Sequence, residues 1–234
     1  MSVLSAAQSA GIRLIGEKPI SLFAPTGANV RFANELADLA TETATDIAKQ
    51  HDWRALTKLN TITGDGSSLA FDLPSDYDRM PLKAEVYSAT WNQWRYNGAK
   101  DLDQWNDILN FFGTGIPGWW IILGGQFQIT QGAGVALPVG TNARFYYISN
   151  QIAEGKKAFT ADTDAFVLDE RLLMLGLIWR WRAQKRQEYG EDMKNYELAL
   201  EKEIARDKGS RLLVTGPQRF PANVSNPYPG ALGQ

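Results

Sequence analysis

The chain contains no cysteine and a single histidine. The first absence removes disulfide frameworks, thiol nucleophiles, iron–sulfur clusters and cysteine–zinc sites. It leaves the redox compartment open. The second removes any metal centre built from several histidines. Long apolar runs are also missing: no stretch reaches about 18 apolar residues, so no helix is expected to span a membrane. The opening "MSVLSAAQSAGIRLIG" lacks the basic region and continuous apolar core of a signal peptide. The expectation is a chain made and folded in a cytoplasm. A basic excess is absent as well. Formal net charge is -2, whereas an electrostatic DNA binder usually carries a basic surface or stripe. No Asp or Glu lies between Asp107 and Glu154, and Arg144 is the only formally charged side chain from Ile108 to Ala153.

What remains is ordinary in amount and unusual in arrangement. With 234 residues, 44% of them hydrophobic and 21% charged, the chain suits one or two domains with a substantial core. Residues 2–15 read as a short amphipathic helix, with Val3, Leu4, Ala7 and Ala10 on one side. Residues 27–50 form a longer one, in which Val30, Ala33, Leu36, Ala37, Ala40, Ala44, Ile47 and Ala48 recur at helical spacing. Beyond "HDW" the period falls to two. Leu59, Thr61 and Thr63 alternate with polar residues, and Leu69, Phe71 and Leu73 follow. Gly64-Asp65-Gly66 between them predicts a β-hairpin. "LKAEVYSAT" reads as a third strand, and residues 101–112 as a short helix or lid. "WWIILGGQFQIT" and "NARFYYIS" read as strands that partner the earlier ones antiparallel. The last third is helical: one helix from near Asp169 to about Arg186, then a second from about Tyr189 to Asp207. Whether these two are separate or continuous stays open, because only Gly190 marks a break.

Candidate chemical sites are few. "GTGIPG", Gly113 to Gly118, matches G-x-G-x-x-G, but Pro117 and strand-like residues follow it and no acid stands about 20 residues on. It reads as a glycine-rich turn, and no cofactor is assigned. His51 ends the second helix, where the helix dipole favours it; no G-x-S-x-G elbow accompanies it. Asp65, Asp72, Asp76 and Asp78 do not have calcium-loop spacing. They suit turns and strand ends, with Asp72 and Asp76 the only pair available for glycosidase work. Trp91, Trp94, Trp105, Trp119 and Trp120 are too many to hide easily in a small sheet. They suggest an interface, or, for Trp91, Trp94, Trp119 and Trp120, stacking platforms for a sugar.

The stretch "LLMLGLIWRWRAQKRQEY" is apolar on every side at its start and basic at its end. Leu172, Leu175 and Trp179 lie on one side; Leu173, Leu177 and Trp181 on another; Met174 and Ile178 on a third. Burial all round is implied, with Tyr189 and Tyr196 of the next helix joining the same core. Arg180, Arg182, Lys185 and Arg186 would complement the helix dipole or pair with a neighbouring subunit. From Leu212 the tail has no acid and four prolines, Pro217, Pro221, Pro227 and Pro229. It reads as an extended arm, able to reach about 75 Å.

"DTDAFVLDERLLMLGLIWRWRAQKRQEYGEDMKNYELALEKEIARDKGSR" resembles the C-terminal helical part of head-to-tail adaptor proteins of tailed bacteriophages. "HDWRALTKLNTITGDGSSLAFDLPSDYDRM" resembles their central part: Trp53 after the long helix, a hairpin, then a turn with Leu73, Pro74 and Asp76. The order of elements agrees over most of residues 2–211. The resemblance implies an α+β fold: a bundle of N- and C-terminal helices, an inserted antiparallel sheet and an extended arm. The boundaries are 1–55 with 168–209 for the helical core, 56–167 for the β domain and 210–234 for the arm. It implies a structural virion protein, not an enzyme, in the neck or tail region. A homo-oligomeric ring of about twelve copies would match a portal's rotational symmetry. One face would bind the portal protein and the other the tail or nozzle protein. DNA would pass through the lumen without specific binding, and a net acidic chain suits that, since a basic lumen would retain phosphates. The arm would dock on the portal or a neighbour through Arg211, Leu213, Val214, Arg219, Phe220, Val224 and Tyr228. Arg180, Arg182, Lys185, Arg186, Trp119 and Trp120 are the candidates for subunit contacts. The alternatives are a virion-borne carboxylate glycan hydrolase and a carbohydrate-binding module.

Overall fold

The computed structural model describes residues 2–27, 29–82, 84–88, 90, 94–110 and 118–207. These form an α+β structure with five α-helices and one large sheet. The helices are α1 (Val3–Ile15), α2 (Val30–Gln50), α3 (Leu102–Asn110), α4 (Glu170–Gln184) and α5 (Gly190–Asp207). The strands are β1 (Thr57–Thr63), β2 (Ala70–Asp72), β3 (Tyr77–Arg79), β4 (Val86–Ser88), β5 (Trp94–Gly98), β6 (Trp119–Leu123), β7 (Gln126–Thr130) and β8 (Asn142–Ser149).

Small residues at helical spacing bring the helices close. Val3, Ala6, Ala7 and Ala10 of α1 and Ala33, Leu36, Ala40, Ala44 and Ile47 of α2 are buried. Ser2 caps α1 by accepting from the Ser5 N–H, and Gly16 ends it in the left-handed region. The Asp169 carboxylate caps α4 by accepting the Leu172 N–H at 2.9 Å. Helix α4 packs against α1, α2 and α5, which explains why its apolar residues recur on all sides. Leu172, Leu173, Met174, Leu177, Ile178 and Trp181 are all buried there. The two C-terminal helices are separate. Arg186 takes a left-handed φ of 56°, turning the chain between them.

The sheet runs in the order β1-β8-β4-β5-β6-β7-β2, with β3 also on β8. The pairing departs from the antiparallel expectation in two respects. Strand β5 runs parallel to β6, with Asn97 and Gly98 beside Trp119 and Trp120, because α3 intervenes in the chain between them as a parallel pair requires. The first strands, in turn, have other partners than expected. Thr57–Thr63 and Ala70–Asp72 do not pair with each other; β1 pairs antiparallel with β8, and β2 antiparallel with β7. The reason lies in the loop between them. Asp65 accepts the N–H groups of Ser67 and Ser68, which turns the chain locally. The Gly64 and Gly66 N–H groups then donate to Thr141 and Leu137, so the turn docks on residues 137–141 and the flanking strands diverge. The tight hairpin lies elsewhere, between β6 and β7, where Gly124 and Gly125 have φ of 61° and 77°. The expected third strand shortens to Val86–Ser88, and Leu82 is 93% exposed.

Two apolar clusters result. One surrounds α4 and includes Ile148, Ile152, Phe159 and Phe166 as well as α1 and α2. The other lies on the sheet, where Trp120, Phe127 and Phe145 stack with centroids 5.5 and 4.7 Å apart. Strand β8 serves both: Ala143, Phe145 and Tyr147 face the sheet cluster, and Ile148 belongs to the helical one.

Candidate interaction surface

The basic end of α4 is engaged within the chain. The Arg180 guanidinium donates to Glu42 at 2.9 Å and to Asp46 at 2.5 Å, and its side chain is only 14% exposed. It also lies over the Trp179 ring at 5.0 Å. The Lys185 ammonium donates to Glu35 at 2.7 Å, and Trp181 Nε1 donates to the other Glu35 oxygen at 3.1 Å. Burial alone would raise the Glu35 pKa; donation from Lys185, Arg31 and Trp181 outweighs it and lowers the value. Arg182 pairs with Asp192 of α5. These three cations therefore fasten α4 to α2 and α5. Arg186, in the turn, is exposed and has no ion-pair partner among the described residues.

The core residues named from sequence divide similarly. Leu172 and Tyr196 are buried, and Leu175 and Trp179 are half-buried against the same cluster. Tyr189 is 40% exposed. It precedes α5 and reaches Trp179 only from the rim, at 6.4 Å between centroids.

The tryptophans are better housed than their number suggests. Trp53 and Trp105 are buried, donating to the Ile47 carbonyl and to Gln128. Trp120 spends one ring face on Phe127, and Trp119 is half-buried. Trp91 lies outside the described residues, as do Gly113 to Pro117 and the arm residues Arg211, Leu213, Val214, Arg219, Phe220, Val224 and Tyr228.

The acids hold structure together. Asp76 is buried and accepts from Lys58 at 2.6 Å, Tyr147 at 2.9 Å and Ser149 at 2.9 Å. Burial alone would raise its pKa, but these donors hold it at about 2. A glycosidase acid needs the opposite shift. Asp72 accepts from Gln126, Asp78 pairs with Arg79, and Asp65 caps its turn. His51 contacts Asp207 at 3.2 Å and stacks edge-on with Trp53. Among the described residues no group of three or more His, Asp or Glu is placed to hold a metal ion. No helix of the described residues is long and apolar enough to cross a membrane.

Two open grooves border α5. That helix has only Tyr196 buried and rests on α4. A groove of about 480 Å³ runs on its α2 side, past Trp179, Met193 and Leu200. A second, of about 800 Å³, opens on its α1 side, between Arg13, Arg171 and Lys202. Sequence reasoning did not single out these three cations. A signal was present in Arg171, a cation in the first turn of α4, where the helix dipole disfavours positive charge.

Residues 1–221 match the model of the family described as SU10 adaptor protein. No curated protein matches the chain.

Proposed function

The chain belongs to the SU10 adaptor protein family, a phage adaptor family, and from that premise we propose that it is a head-to-tail adaptor. In this reading it is a structural component of the virion neck. It forms a ring of about twelve copies matching the portal. One face meets the portal protein and the other the tail or nozzle protein, and DNA passes through the lumen during ejection. The observation that carries the reading is the family match over nearly the whole length of the chain. The in-chain clamping of α4 supports it, since a rigid helical hub suits a part that bears load between two assemblies. We assign residues 1–55 with 168–209 to that hub, 56–167 to an inserted β domain, and 210–234 to an arm that docks on the portal. The two apolar clusters favour such a division, although the helical one also takes in Ile148 to Phe166.

Light scattering on the protein alone and mixed with its portal ring tests this. A ring-sized assembly, or monomers recruited in about twelve copies by the portal, is the expected result. Indifference to the cognate portal would overturn it. Removing residues 212–234 should abolish portal docking while leaving thermal unfolding of the remainder unchanged. Normal docking by the truncated chain would remove the arm's role.

A further inference from the structure

The groove on the α1 side of α5 has a definite chemistry. Its floor includes Leu172, Leu175 and Leu198, the last 47% exposed. Four cations and two carboxylates line it. The carboxylates are occupied: Asp169 caps α4, and Glu203 pairs with Arg206 at 2.7 Å. Arg13, Arg171 and Lys202 are exposed and have no ion-pair partner among the described residues. Arg171 in addition opposes the dipole of its own helix. Three unmatched cations round an apolar floor call for an acidic element with an apolar anchor.

The chain beyond Asp207 does not fit, having cations and no carboxylate. Helix α3 does. Its inner face is spent on the β part: Trp105 donates to Gln128, and the Ile108 carbonyl accepts from Ala133. Its outer face carries Asp103, Asn106 and Asp107, all exposed, and Leu102 at 58% exposure. No Lys or Arg occurs in Leu102–Asn110. Nine residues of helix make a rod of ~13 Å, and the α5 wall from Asn195 to Arg206 is ~17 Å long.

We infer that the α1–α4–α5 groove of one copy receives the acidic outer face of α3 from a second copy, with Leu102 on the apolar floor and Asp103 and Asp107 against Arg171, Lys202 and Arg13. The two surfaces differ, so the contact is heterologous and propagates head to tail, the kind that closes into a ring. This rests on the adaptor reading and names the subunit contact within it.

The absence of cysteine makes a clean test. Asn106→Cys and Asn195→Cys leave every charge in place. Mixed in the full-length protein and oxidised with diamide, the two variants should cross-link at least ~10-fold faster than Leu82→Cys with Asn195→Cys, because docking raises the effective concentration of the thiols. Arg171→Glu with Lys202→Glu in the Asn195→Cys partner should abolish that advantage. Asp103→Lys with Asp107→Lys in the other partner should restore it. Equal rates for test and control pairs would overturn the inference. If light scattering then still showed rings, the subunits would meet through another surface; if it showed only monomers indifferent to the portal, the adaptor reading would fall as well. Protection of Asn195→Cys from alkylation by short duplex DNA, without cross-linking, would assign the groove to phosphate and overturn the inference too.

Discussion

Gly176 of α4 faces Thr43 of α2 so closely that a Cβ at position 176 would overlap the Thr43 methyl. Thr43 is fully buried, so that methyl has little room to turn away, and its hydroxyl has no hydrogen-bond partner among the described residues. Gly176→Ala should therefore destabilise the protein, although alanine is the better helix former by about 1 kcal/mol. Overpacking costs about 1–3 kcal/mol and should win. Thr43→Ala removes both the obstacle and the unpaired hydroxyl. In urea unfolding, the double variant should be more stable than Gly176→Ala alone. Strictly additive effects would show that the two helices do not meet through this pair.

Arg180 offers a test of where the basic end of α4 acts. Arg180→Met should lower unfolding stability by about 1–2 kcal/mol, since a largely covered guanidinium and two carboxylates lose each other. Asp46→Asn should cost less, because Asp46 is itself 43% exposed. If Arg180→Met left urea unfolding unchanged yet prevented assembly, the sequence expectation of a neighbour's carboxylate would be restored.

The helices were legible because their evidence is local. Ala33, Leu36, Ala40, Ala44 and Ile47 repeat with the turn of α2, and Asp169 stands where a cap must stand. The strands were legible as strands, but not their partners. A period of two tells which residues share a face, and leaves open whether Thr57–Thr63 pairs with Ala70–Asp72 or with a segment some 80 residues away. The break between α4 and α5 was marked only weakly, by Gly190, because the turn itself rests on a left-handed Arg186, which is held by its surroundings and not by its own preference. The basic residues of α4 were seen, and their partners were not: Glu35, Glu42 and Asp46 lie far away in sequence. The groove cations were missed for the same reason, being spread over three helices.

Gly64 carries the loop that redirects β1. A Cβ there would stand 2.7 Å from Leu137 Cβ and 2.6 Å from the Pro138 carbonyl oxygen. Gly64→Ala should push the turn off residues 137–141 at a cost of about 1–3 kcal/mol. Hydrogen exchange should quicken at the Gly66 amide, which donates to Leu137. Unchanged protection there would mean that the loop is held by the strands instead of holding them.

Asp76 sets the protein's response to acid. Its carboxylate joins β1, through Lys58, to β8, through Tyr147 and Ser149. Burial pushes the Tyr147 hydroxyl up, and Asp76 adds to it, to about 12, so tyrosine stays a donor at any ordinary pH. The Asp76 pKa is lower in the folded than in the unfolded chain. Its contribution is therefore complete above about pH 4, the unfolded value, and is lost as pH falls towards 2. The amount is about 1–2 kcal/mol, discounted for the partly exposed Lys58. Asp76→Asn should flatten this part of the stability profile between pH 4 and 2 and be less stable than the parent at pH 7. Lys58→Met should weaken the same dependence without abolishing it, since two hydroxyl donors remain. A parent and an Asp76→Asn variant whose stabilities fall in parallel over that range would place the acid sensitivity in other carboxylates. Asp164 is the next to examine, because Lys156 and the Thr160 and Ala161 amides hold its pKa at about 2 as well.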